Sequence, residues 1–113
     1  VSVGGLANWV SSQYGVIVGG ANNLVSANYS FVGGGNQNTI STVNSVIGGG
    51  NTNTGQGIYS IVGGGQYNIT YADYSVVGGG LSNSATGTTQ MEVIGIETSF
   101  YWWRMVKQYG LYR

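Results

Sequence analysis

The sequence predicts an all-β chain, a parallel β-roll or β-solenoid of 15-residue coils, and three observations carry that prediction. An asparagine returns at every fifteenth residue: Asn8, Asn23, Asn38, Asn53, Asn68 and Asn83. Gly-Gly-Gly keeps the same step at 33–35, 48–50, 63–65 and 78–80, with Val18-Gly19-Gly20 and Val3-Gly4-Gly5 upstream. Two apolar residues precede each run: Val16-Ile17, Phe31-Val32, Val46-Ile47, Ile61-Val62 and Val76-Val77. A short fixed period of this kind marks stacked coils, each burying its apolar face only against its neighbours.

Within one coil, Tyr29-Ser30-Phe31-Val32 is short, aromatic and β-branched and stops at glycine, which predicts a strand followed by a turn. The aromatic position is Tyr14, Tyr29, Asn44, Tyr59 and Tyr74 in successive coils, and the next is small: Gly15, Ser30, Ser45, Ser60 and Ser75. Asn23-Leu24-Val25, Asn38-Thr39-Ile40 and Asn68-Ile69-Thr70 predict a second, weaker strand. Coils of two strands and two turns stack at about 4.8 Å, so six make a rod on the order of 30 Å long.

Three expectations follow from the columns. The glycine runs supply positive φ and close approach of neighbouring chains at a corner repeated in every coil. The stacked asparagines hydrogen-bond amide to amide and satisfy backbone groups of the turns. Consecutive strand residues point to opposite faces, yet columns 31/46/61/76 and 32/47/62/77 are both apolar, so one fills the roll and the other needs a partner. The candidate interface is Tyr29, Phe31, Val46, Tyr59, Ile61, Tyr74 and Val76.

Composition narrows the function. Glycine supplies 22 of 113 residues and proline none, far from an ordinary globular domain. Of three basic and three acidic residues only Asp73 precedes residue 92. A body this neutral is expected to be covered by neighbouring subunits or glycans, because dispersed monomers keep a charged surface. Without histidine or cysteine, disulfides, thiol chemistry and the usual zinc sites are excluded. No apolar run reaches the length of a membrane-spanning helix. The glycine runs lack the Lys-Ser/Thr of a phosphate loop, and no Asp stands in a glycine turn to hold calcium. The serines have no activating base, and no basic patch exists for nucleic acid. The expectation is therefore a chain that is not an enzyme, with no cofactor and no metal. It starts at Val1 in mid-repeat, which reads as a mature product or a piece of something longer.

Blocks such as Tyr59-Ser-Ile-Val-Gly-Gly-Gly-Gln-Tyr-Asn68 and Asn44-Ser-Val-Ile-Gly-Gly-Gly-Asn-Thr-Asn53 resemble the head repeats of YadA-like trimeric autotransporter adhesins, and similar repeats occur in phage and virus fibres. The resemblance covers about residues 1–88. It implies a left-handed parallel β-roll, three chains around one axis, and attachment to cell-surface glycan or matrix, at the surface of a cell or virion. The chain departs from that family in its three consecutive glycines and its strict fifteen-residue step. Together with the columns, this gives an extracellular structural or adhesive fibre or filament subunit, as a homotrimer or a head-to-tail stack.

Two alternatives are a monomeric ice-binding β-roll, which the Asn23-Leu24-Val25 and Asn38-Thr39-Ile40 half coils resemble, and a curli-like functional amyloid. The column Leu24, Thr39, Thr54, Ile69, Ser84 lacks the uniform small polar residue of an ice face. Curli repeats are longer and carry Gln ladders. Asn28-Tyr29-Ser30 is a glycosylation sequon at a turn, and Asn28 is the candidate acceptor; Asn68-Ile69-Thr70 is a second, expected inside. Residues 89–113 leave the register. They read as a cap laying Phe100, Trp102, Trp103 and Val106 over the last coil, as an aromatic binding segment, or as a frame-shifted repeat.

Overall fold

A computed structural model describes residues 4–87 and the backbone of 93–94. The tail residues Phe100, Trp102, Trp103 and Val106 lie outside the described residues. The chain is all-β, a parallel β-solenoid with the expected fifteen-residue step. Its strands are β1 (Trp9–Val10), β2 (Val16–Ile17), β3 (Leu24–Val25), β4 (Phe31–Val32), β5 (Thr39–Ile40), β6 (Val46–Ile47), β7 (Thr54–Gly55), β8 (Ile61–Val62), β9 (Ile69–Thr70), β10 (Val76–Val77), β11 (Ser84–Ala85) and β12 (Val93–Ile94). Odd-numbered strands form one six-stranded parallel sheet from β1 to β11, and even-numbered strands form a second from β2 to β12.

Register is constant through β11: Phe31 pairs with Val46, Val46 with Ile61, and Thr39 with Thr54. A third, single-residue ladder joins Leu6, Ala21, Asn36, Asn51, Gln66 and Leu81 between the sheets. At β12 the step lengthens, because Val76 pairs with Val93, seventeen residues on.

Side-chain parity sorts the apolar columns as the two-residue strand period requires. Ile17, Val32, Ile47, Val62 and Val77 from the second sheet meet Val25, Ile40 and Ala85 from the first, and all are fully buried. Each fully buried Val or Ile contributes about 1.5–3 kcal/mol of transfer free energy. At the centre of the first sheet this column carries Gly55 and then Thr70, whose hydroxyl lies 2.9 Å from Ser60 Oγ across the core. A buried hydroxyl is therefore satisfied between the two sheets.

The strands are shorter than the sequence pattern predicts, because Tyr29 and its equivalents are turn residues. Tyr29, Asn44, Tyr59 and Tyr74 have φ of 57° to 59°. So do Asn22, Gln37, Thr52, Tyr67 and Ser82 at the other corner, with φ of 55° to 59°. The reason is the direction of the amide. Strand N–H groups donate forward, as Val46 does to Ser60 O and Thr39 to Asn53 O. The left-handed residues donate backward: Asn44 to Asn28 O, Tyr74 to Ile58 O and Thr52 to Asn36 O. The left-handed conformation reverses the peptide at each corner and still gives its N–H an acceptor.

Candidate functional site

The residue following each left-handed position must also find an acceptor, and this explains the polar columns. Asn53 N–H donates to Asn38 Oδ1 at 3.0 Å, and Asn68 N–H to Asn53 Oδ1 at 2.9 Å. Asn53 Nδ2 donates to Gly49 O in its own coil and to Gly65 O in the next, both at 3.0 Å. Asn23, Asn38, Asn53, Asn68 and Asn83 are buried, and the half-buried Asn8 starts the column. The column is thus both the amide ladder and the turn satisfier that the sequence predicts, and Asn68 is inside.

At the second corner one serine pair closes the backbone in the same way, and the later serine hydroxyls bond to turn carbonyls, Ser60 to Gly57 O and Ser75 to Ala72 O, a role the sequence reading missed. Ser45 N–H donates to Ser30 Oγ at 3.3 Å, and Ser45 Oγ donates to Gly57 O at 2.9 Å. Ser30, Ser45, Ser60 and Ser75 are all buried. The signal was present as a column of small hydroxyl residues directly after the aromatic position.

With the asparagine corner closed internally, what remains outward is the candidate functional surface. On the second sheet the outward strand column is Val16, Phe31, Val46, Ile61 and Val76. Phe31 is 38% and Ile61 44% exposed, while the valines are half-buried. The tyrosine column borders it at the turn: Tyr14, Tyr29, Tyr59 and Tyr74 are each about half exposed or more. Tyr14 stacks on Tyr29 with ring centroids 5.0 Å apart and planes 7° from parallel. Tyr59 and Tyr74 repeat this at 5.2 Å and 11°. Asn44 separates the two stacks. Structure therefore places every residue of the predicted interface, Tyr29, Phe31, Val46, Tyr59, Ile61, Tyr74 and Val76, on one outward side.

The first sheet is different. Its outward column reads Trp9, Leu24, Thr39, Thr54, Ile69 and Ser84, and Tyr67, Ile69 and Tyr71 share one rung. Asp73 is the one charged residue among residues 4–87, and its Oδ1 accepts Ile58 N–H at 2.9 Å. Asn28 holds the equivalent place three coils earlier, half-buried, with its Oδ1 accepting Gln13 N–H at 3.1 Å. That bond uses the carbonyl oxygen, not the amide nitrogen a glycan would take. Among the described residues no helix is long and apolar enough to cross a membrane.

Comparison with protein-family models, with curated proteins and with solved structures finds no match. The surface itself is therefore what bears on function.

Proposed function

We propose that this chain is a non-enzymatic, extracellular structural or adhesive fibre subunit that self-associates through the outer face of its second sheet. The observation that carries the reading is the outward column Val16, Phe31, Val46, Ile61 and Val76, standing beside a fully buried inner column on the same strands. A continuous apolar stripe along a rod is a contact surface or an aggregation hazard. With a single charge in the described body, nothing electrostatic keeps two such faces apart. Three chains packing this face around one axis, as in the adhesin heads that the repeats resemble, would cover it. A head-to-tail stack is the second route to a fibre, because a solenoid coil whose strand edge meets another coil extends the same parallel ladders. Such a rod displays the first sheet, whose outward column mixes Trp9, Leu24 and Ile69 with Thr39, Thr54 and Ser84, to a glycan or matrix surface.

Sedimentation and negative-stain electron microscopy of the purified chain test the reading together. Trimers or filaments at micromolar protein are expected; a monodisperse monomer would remove the basis for a fibre subunit. Thermal hysteresis is expected to be absent, since the outward rungs Leu24, Thr39, Thr54, Ile69 and Ser84 present no uniform face, and a freezing-point gap would favour ice binding instead.

A further inference from the structure

We infer that the two tyrosine stacks are sites of oxidative cross-linking, in which Tyr14 couples to Tyr29 and Tyr59 to Tyr74 as dityrosines that staple adjacent coils. The rings are held face to face at 5.0 and 5.2 Å, within 11° of parallel, and are 50% to 62% exposed. Fixing two reactants in this way turns a bimolecular step into a unimolecular one. The corner backbone sets where three of the four rings stand. Tyr29, Tyr59 and Tyr74 occupy left-handed conformations, with φ of 57° to 58°, which a bulky residue rarely adopts. Asn, the residue type that tolerates this conformation, occurs once, at Asn44. The chain has no cysteine, so the disulfide staple common in small extracellular domains is closed to it, and the tyrosine pairs offer another covalent route.

The chemistry balances with a peroxide as oxidant and a haem peroxidase as catalyst. Each phenol gives up one electron and one proton, leaving a phenoxyl radical with spin on its ortho carbons. The two ortho carbons form a C–C bond, and the ring hydrogens displaced there move to the phenol oxygens through solvent. Each pair has lost two electrons and two protons in total, and these reduce one hydrogen peroxide to two waters. Both tyrosines are oxidised. Coupling stops at Asn44, because Tyr29 and Tyr59 are two rungs apart, on the order of 10 Å. Tyr67 and Tyr71 are equally exposed, at 54% and 51%, but flank β9, with Tyr67 at the left-handed corner, and do not stack on each other. They serve as internal controls for exposure without stacking.

The test treats the full chain with a haem peroxidase and a limiting amount of hydrogen peroxide, followed by intact mass, denaturing gel, dityrosine fluorescence and chymotryptic mapping. Expected is the loss of two hydrogens per pair, links mapped to 14–29 and 59–74, unchanged chain number on the gel, and a higher melting temperature. Tyr14→Phe and Tyr59→Phe keep a ring in each stack, and each should abolish one link and spare the other. Asn44→Tyr joins the two stacks and should add links at 29–44 or 44–59. Links shared equally with Tyr67 and Tyr71, only interchain products, or no link under conditions that couple free tyrosine would each overturn the inference. Coupling is within one chain, so a monomeric protein would defeat the fibre reading while leaving this result intact.

Discussion

The Oδ1 of Asn38 accepts both the backbone N–H of Asn53 at 3.0 Å and its side-chain Nδ2 at 3.2 Å, so each asparagine closes the backbone of the coil stacked on it. Replacing Asn53 by Leu therefore strands more than one group at once. Asn68 N–H loses its acceptor and Gly49 O its donor, while Gly65 O keeps Asn51 N–H. Each buried polar group left unsatisfied costs about 1–3 kcal/mol, so N53L should lower the denaturation midpoint clearly. An unchanged midpoint in thermal or chemical melts would contradict the ladder's structural role.

The three glycines of a triplet are not equivalent, and mutation should separate them. At Gly50 φ is 93°, and an added Cβ would stand 2.2 Å from Gly65 O. At Gly48 it would meet Gly63 O at 2.6 Å, whereas at Gly49 nothing lies within 4 Å. Gly50→Ala should cost about 1–3 kcal/mol through backbone strain. Gly49→Ala should fall within about 0.5 kcal/mol of the parent. Equal effects at the two positions, measured by urea denaturation, would mean that the corner is not built as described.

How much of this was legible in the sequence depends on what a column can report. Identity and parity were readable: the fifteen-residue step, the inward set led by Ile47 and Val62, and the asparagine ladder all follow from spacing. Dihedral angles were not. Tyr29 before Ser30 reads as the start of a strand, because its left-handed cost of about 1–2 kcal/mol leaves no mark on residue type. Stacking outvotes it, since its reversed N–H reaches Tyr14 O. The part played by the buried serines was missed for a related reason: a buried small hydroxyl looks like a turn residue until its partner, such as Gly57 O for Ser45, is seen. Of the candidate face, the outward residues were legible, but the two separate tyrosine stacks depend on ring geometry.

Gly55 offers a stabilising change. It is buried in the core column, and a Cβ there would make ordinary contacts, 3.5 Å to Ile40 Cγ1 and 3.9 Å to Thr70 Oγ1. Gly55→Ala should raise stability by about 0.4–1 kcal/mol, chiefly by restricting the unfolded chain. A lower melting temperature would show that the core is closed to even one methyl group at this rung.

Parity makes the assembly prediction two-sided. Changing Val46 and Ile61 together to Asp places charges on the outward column, and it should abolish oligomers in sedimentation while leaving the far-ultraviolet β signal. Changing Ile47 and Val62 together to Asp buries two unpaired carboxyl groups at a cost of several kcal/mol, and it should unfold the coil. Oligomers surviving the first change would move the contact to another surface.

The direction of the corner and strand hydrogen bonds has a mechanical consequence. Strand amides such as Val46 N–H reach forward to Ser60 O, and corner amides such as Asn44 N–H reach back to Asn28 O; both lie along the stacking axis. Tension applied end to end therefore loads the junctions between rungs in series, and the rod yields at its weakest junction. Gly15 heads the column that continues as Ser30, Ser45, Ser60 and Ser75, and nearby Ser12 Oγ is buried without a hydrogen-bond partner. Among the described rungs, rupture under force should begin there, leaving the others as a shorter rod.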